Sequence, residues 1–325
     1  TLREIPSFDS PALKSISERA GFLLQALSFS FYCTLRLMRD ETPVVYTRHS
    51  LDVLFAPLVR MCRPGRILIF EDHDGILRSR SALKSRLLNV YDGIAVTSER
   101  HKRDLVEKGF PEKDILVAPN GVDLTKYPAD EGCLPSDGPC HICYAGNLFV
   151  RKGVYTLVDA FRMFPKDSVL HIVGGDPNTI PPFQQYVGSG GNLSDIRIHG
   201  HVPPSDVSRF LKQAHVLVLP NSGRDPLSRD FTSPLKLFEY MAAGKPIVAS
   251  RVPAVQEILE DRRNALLVEP DDPEALAAAI CELRNRPDLA RRIARNARRT
   301  VEQYTWSGRA EKIDRFIRSK MSERA

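Results

Sequence analysis

The sequence predicts an α/β protein made of two doubly wound parallel sheets, one following the other along the chain. Three observations carry this prediction. Ten short apolar runs alternate with amphipathic stretches over most of the chain. Most of these runs are continuous rather than alternating, as strands covered on both faces must be. The alternation breaks once, at 127–139 (YPADEGCLPSDGP), where Pro, Gly and Asp accumulate and periodicity stops. A length of 325 residues suits two domains, and 42% hydrophobic with 26% charged residues excludes a disordered or fibrous chain.

In the first half, strands are expected at 44–47, 66–71, 93–97 and 114–118. The chain opens on a long helix, 11–40. Its apolar residues Phe22, Leu23, Ala26, Leu27, Phe29 and Phe31 are expected to pack on the first sheet, with a membrane surface as the sharper alternative. The apolar run 22–35 is too short to span a bilayer, which takes about 20 residues. No signal peptide is legible, and a first strand–helix unit is absent from these residues. The chain begins at Thr1 rather than Met, so a lost leader stays open. In the second half, strands are expected at 141–145, 169–173, 196–199, 215–219, 246–249 and 265–268. Helical stretches at 154–163, 205–214, 234–243, 253–260 and 274–285 separate them.

Charge and cysteine usage narrow the context. Net charge is +6, and residues 291–325 alone hold 11 Arg or Lys against 4 acids. Such an arm could attract phosphates or an anionic membrane. The spacing of Arg291, Arg295 and Arg298, opposite Ile293, Ala297, Val301 and Tyr304, favours a solvated helix face instead, and no nucleic-acid partner is expected. The six cysteines, at 33, 62, 133, 140, 143 and 281, form no dense framework, which points to a reducing compartment.

Two segments carry chemistry. In SPLKLFEYMAAGKPIVAS (233–250), Ser233 suits a helix N-cap and Pro234 the first helical position. The free N–H groups of such a start bind anions. Lys236 adds a cation in the first turn, and Glu239 lies on the same side one turn on. An ordinary sheet-packing helix with a surface Lys–Glu pair fits the pattern equally well. In YAGNLFVRKGVYTLVDAF (144–161), a strand ends in Gly146, a short loop carries Arg151 and Lys152, and Gly153 opens a helix. This aims cations at the carboxyl edge of a parallel sheet, where ligands bind. HIVGGDP (171–177) is a strand with a Gly-rich turn.

These segments resemble glycosyltransferase family 4, the retaining enzymes of GT-B fold, in the form that builds bacterial surface polysaccharides. VTSE (96–99), VAPNGVD (117–123), YAGNLFVRKG, IVGGDP, the SPLK segment, NALLVEPDD (264–272) and YTW (304–306) occur in family order. The resemblance implies two Rossmann-like sheets facing each other, with domains at 1–130 and 131–303 and a last helix, 304–325, that crosses back. It implies that Gly146, Arg151 and Lys152 meet the diphosphate of a UDP- or GDP-sugar, and that Ser233, Pro234, Leu235 and Lys236 hold the same group. Glu239 would bind the ribose, Val202 would lie near the base, and His73 would lie close to the transferred sugar. His73, Lys152 and Glu239 are the catalytic candidates; no metal and no cofactor beyond the donor is expected. The first Glu of the family's paired motif falls on Phe231, and an Arg common after Gly146 is Asn147. The expected partners are a glycan or lipid-linked acceptor, with peripheral membrane contact, in the cytoplasm at the inner membrane face.

Competing patterns are weaker. Asp72–His73–Asp74 imitates a metal-binding Asp-x-Asp site, but the second sheet supplies a phosphate site without one. Cys140 and Cys143, with Cys133 upstream, fall in a strand and point to opposite faces, against zinc. Asn192–Leu193–Ser194 fits a glycosylation acceptor that a cytoplasmic chain does not use. A sugar-nucleotide epimerase on the same plan, or a non-catalytic nucleotide-sugar binding protein, are the alternatives. A dinucleotide fingerprint is not found.

Overall fold

The computed structural model describes residues 18–49, 51–73, 87–128, 138–165, 167–189, 195–230 and 235–324. The first half runs α1 (Glu18–Arg39), β1 (Val44–Thr47), α2 (Asp52–Cys62), β2 (Ile67–Asp72), β3 (Gly93–Val96), α3 (Glu99–Glu107) and β4 (Ile115–Val117). The second runs β5 (Cys140–Ala145), α4 (Val154–Phe161), β6 (Ser168–Val173), α5 (Ile180–Gly188), β7 (Ile196–Gly200), α6 (Pro204–Gln213), β8 (Val216–Leu219), α7 (Pro226–Asp230) and α8 (Leu235–Ala243). It continues with β9 (Ile247–Ser250), α9 (Pro253–Gln256), β10 (Leu266–Val268), α10 (Pro273–Asn285), α11 (Pro287–Val301) and α12 (Trp306–Arg324). All ten expected strands form, each end within one residue of its expected place.

Contacts divide the chain into two compact units. One comprises Thr1–Val96, His101–Ala118 and Lys312–Ala325; the other comprises Thr97–Arg100 and Pro119–Glu311. The first unit holds a parallel sheet ordered β1-β2-β3-β4, and the second a parallel sheet ordered β10-β9-β8-β5-β6-β7. The second order is the doubly wound one, and its winding reverses between β5 and β8. Ligands of such sheets bind at the carboxyl ends of the strands beside that reversal.

The second sheet is buried on both faces. Cys143, Leu217 and Ala249 meet α6, α8 and α11 on one side, in a core that includes Leu211, Phe238 and Ala297. Ile142, Leu170 and Val248 meet α4, α5 and α10 on the other. Cys140 and Cys143 fall in these opposite cores, as strand parity requires. The basic helix α11 buries Ile293, Ala297 and Val301, and Arg298 caps the end of α8 through the carbonyl of Ala242 at 2.6 Å.

Helix α1 departs from expectation. The side it buries carries Ala26, Ser30 and Thr34, while Leu23, Phe29 and Phe31 stay exposed. The hydroxyls can go inside because each is bonded: Ser30 Oγ donates to Asp52 Oδ1 at 2.6 Å and Thr34 Oγ1 to the Ser30 carbonyl at 2.8 Å. The N-terminal part of the expected helix and the side chain of Phe22 lie outside the described residues. The stretch 253–260 is helical only over Pro253–Gln256. The loop 221–232 contains the short α7. Among the described residues, no helix is long and apolar enough to cross a membrane.

A row of imidazoles crosses the second sheet on the face that packs α6. His141 Nδ1 meets His171 Nε2 at 2.9 Å, and His171 Nδ1 meets His199 Nε2 at 3.0 Å. His215 Nδ1 accepts from the backbone N–H of His141 at 2.6 Å. Burial pushes the pKa of His171 and His215 down to about 4, and their charged neighbours act in the same direction.

Candidate phosphate site at the carboxyl edge of the second sheet

Glycines let three strand ends close on one another. The Gly146 N–H bonds the Val173 carbonyl at 2.9 Å, and the Gly174 N–H bonds the Gly200 carbonyl at 2.7 Å. Gly174 has φ +122°, and a Cβ there would lie 2.2 Å from the Gly146 carbonyl oxygen, so a side chain is excluded. Tyr144 steadies the turn after β5 by donating to the Asn147 carbonyl at 2.7 Å.

Residues 150–152 form a single 3₁₀ turn that Gly153, in the left-handed conformation, converts into α4. A Cβ on Gly153 would fall 1.6 Å from the Pro220 carbonyl oxygen, which presses this turn against the end of β8. The Arg151 carbonyl then accepts twice from the loop after β8: from the Ser222 N–H at 3.1 Å and from Ser228 Oγ at 2.8 Å. Asn221 Nδ2 in turn holds Ser228 Oγ at 3.0 Å. The turn that carries Lys152 is thus fixed from both sides of the winding reversal.

Lys152 is half-buried, and its side chain has no hydrogen bond or ion pair among the described residues. Burial lowers the pKa of its ammonium. Nearby Arg151 pushes the same way, and Asp225 opposes them. An ammonium carried at this cost, at the carboxyl edge of a doubly wound sheet, is suited to an anion. The Arg151 guanidinium lies 4.5 Å over the Phe149 ring.

Helix α8 brings the other predicted charges. Lys236 Nζ donates to Glu239 Oε2 at 2.6 Å, so the i, i+3 spacing does place them side by side. The pair is tied to the end of β5: the Ala145 N–H donates to the buried Tyr240 hydroxyl at 2.7 Å. Lys236 also lies near Cys143, whose thiol burial pushes up to about 12 against the pull of that cation. Leu235 opens the helix half exposed. Ser233, Pro234 and Phe231 lie outside the described residues. Val202 follows β7 and is partly buried against the core on the α8 side. The structure therefore gathers Gly146, Arg151, Lys152, Lys236 and Glu239 on one unit.

His73 belongs to the other unit, directly after β2. Its Nε2 is hydrogen-bonded to Glu71 Oε1. Asp72 is buried and paired with His101 Nε2 at 3.2 Å, and Asp74 lies outside the described residues. Among the described residues, no group of three His, Cys, Asp or Glu side chains could hold a metal. Cys133 and the Asn192–Ser194 segment also lie outside them. Sequence reasoning missed the anchoring of Arg151 by Ser222 and Ser228, and the bond from Tyr46 to Glu71. Nothing local in the sequence announces either, because each joins residues far apart in the chain.

Two family models match the chain. "Glycosyltransferase Family 4" covers residues 23–126 and "Glycosyl transferases group 1" covers residues 139–286. Alpha-maltose-1-phosphate synthase of Mycolicibacterium smegmatis is 29% identical over 294 residues, which are 83% of this chain and 71% of that protein. Several other curated relatives are longer, and the chain spans 43 to 64% of their length. Among solved structures, Anabaena HepE in complex with UDP superposes with a TM-score of 0.76 at 18% identity, over 96% of this chain and 90% of that one. Sucrose-phosphate synthase from Thermosynechococcus elongatus superposes with a TM-score of 0.74 at 23% identity, over 91% and 78%. With one glycosyltransferase domain model matching the first half, another the second, and both parallel sheets present, the chain is a glycosyltransferase of GT-B fold.

Proposed function

We propose that this chain transfers a sugar from a UDP- or GDP-sugar to a hydroxyl of a glycan or lipid-linked acceptor, as a step in making a surface polysaccharide. The observation that carries the reading is Lys152, a half-buried ammonium without a partner among the described residues, on a turn fixed at the winding reversal. As the glycosidic bond breaks, negative charge grows on the departing diphosphate. A cation already in place stabilises that charge without reorganising. Arg151 adds a second cation and the Gly146 turn lets the backbone approach. The Lys236–Glu239 pair supplies an ammonium for phosphate and a carboxylate for ribose hydroxyls. The structures of HepE in complex with UDP and with UDP-glucose support a nucleotide-sugar donor.

The reaction in this reading needs no resident metal and no protein base. The diphosphate oxygen takes the acceptor proton as the acceptor hydroxyl attacks from the same face, so configuration is retained. The acceptor side of the reading is supported by α1 and α2. Residues 20–35 carry no charge, and Leu24, Phe31, Leu35, Leu54, Leu58 and Met61 are exposed. Such a surface suits a lipid interface at the cytoplasmic face of a membrane.

Calorimetric titration with UDP, GDP, ADP and NAD, each with and without EDTA, tests the donor site. Tight binding of one diphosphate that EDTA leaves unchanged is expected. Binding abolished by EDTA would overturn the metal-independent reading. Binding of none of the four would overturn the donor site.

A further inference from the structure

Strand β2 ends in two adjacent carboxylates with opposite fates. Asp72 is buried against His101, itself buried, and that pair is closed off from solvent. Glu71 is equally buried, but the histidine it holds is not. The His73 side chain retains 23% of its exposure, against 4% for Glu71. Tyr46 and Glu71 lie on neighbouring parallel strands: Tyr46 is in register with Ile69, and Glu71 is two residues further along on the same face. The Tyr46 hydroxyl donates to Glu71 Oε2, and His73 Nε2 meets Glu71 Oε1. Each carboxylate oxygen thereby holds one of these two side chains.

A carboxylate only accepts, so the ring nitrogen facing it must carry the proton. In the neutral ring, Nδ1 is then the bare lone pair. His73 Nδ1 has no hydrogen-bond partner among the described residues. We propose that Glu71, steadied by Tyr46, is a positioning residue that locks His73 in its Nε2–H form, so that Nδ1 accepts a hydrogen bond from a substrate hydroxyl. This rests on the reading of the protein as a transferase acting on hydroxyl-bearing sugars. It goes further in making His73 an acceptor rather than a donor and in assigning Glu71 and Tyr46 the task of keeping it so. A phosphate, which presents oxygens that accept, would find no donor at Nδ1; a sugar hydroxyl would find its acceptor.

The test is long-range ¹H–¹⁵N correlation of the imidazoles in the whole chain, followed by transfer kinetics. In the wild type, His73 should show a protonated Nε2 and a bare Nδ1. In Glu71→Gln the carboxamide can accept or donate, so the Nδ1–H form should appear. The kcat should fall about 10- to 100-fold, by analogy with the loss of a partner that orients a metal-bound histidine, while UDP affinity stays unchanged. Tyr46→Phe, which removes the tyrosine's bond to Glu71 and adds no polar group, should fall in the same direction by less. A wild-type His73 protonated at Nδ1 would overturn the proposal, as would a Glu71→Gln variant with unchanged tautomer and kcat. The tautomer readout needs no turnover. A locked wild type that shifts in Glu71→Gln, in a protein that transfers no sugar, would therefore support the lock and sink the transferase reading instead.

Discussion

Among the described residues, no side chain balances the Lys152 charge by a direct bond. A partly buried, unpaired ammonium is a cost to the folded state. Lys152→Ala should therefore melt at or slightly above the wild-type temperature while binding UDP or GDP about 10- to 100-fold more weakly, as the loss of one charge-assisted hydrogen bond implies. Calorimetry and a thermal melt on one sample check both halves. Loss of binding with a lower melting temperature would mean that the lysine is structural. Glu239→Ala should weaken binding less, because its removal also frees Lys236 from a 2.6 Å bond. Both positions were legible in the sequence, since a cation beside a helix-opening glycine and an i, i+3 pair are local patterns. The Tyr46–Glu71–His73 relay was not, because Tyr46 and Glu71 stand 25 positions apart and meet only once the register of β1 and β2 is set.

Strand positions were readable because burial on both faces leaves a continuous apolar run. The row of histidines across β5, β6 and β7 was not readable for the same reason as the relay: each lies alone among apolar neighbours and lines up only in the sheet. Its energetics follow from counting lone pairs. Each imidazole–imidazole bond needs one proton and one lone pair, so a proton added to every ring would leave facing N–H groups within 3.0 Å. The folded-state pKa values of His171 and His215 are near 4, below the unfolded value of about 6.5. The unfolded chain therefore binds more protons in this window. Stability is fully present above pH about 6.5 and is lost as pH falls towards 4. Denaturant midpoints measured from pH 7 to 4.5 should fall for the wild type and fall less steeply for His171→Gln. Parallel slopes would place the acid sensitivity elsewhere. The exposed outer face of α1 was also misjudged from its sequence. Two hydroxyl residues went inside because Asp52 and the helix's own carbonyl satisfied them.

For the whole molecule, the proposed lipid contact of that face has a direct test. The chain should co-float with vesicles containing anionic lipid. Leu35→Glu and Leu58→Glu should each weaken this about tenfold, the worth of burying one leucine, without changing UDP affinity. A wild type that stays in the aqueous fraction would leave this apolar surface without a lipid role. The second consequence at this scale comes from α12. Its residues from Lys312 onward group with the first unit. A Cβ on Gly93 would lie 2.6 Å from the Phe316 ring, Lys320 Nζ bonds Asp114 Oδ1 at 2.5 Å, and Arg324 Nη2 meets Asp92 Oδ1 at 2.8 Å. The unit built from residues before 119 is thus finished by residues after 311. On the ribosome these leave the exit tunnel after all of 119–311, so the nascent first sheet must wait with Gly93 uncovered and Asp114 unpaired to Lys320. The later-made unit can close before the earlier one does, and the interval between them is when a chaperone has the most to hold.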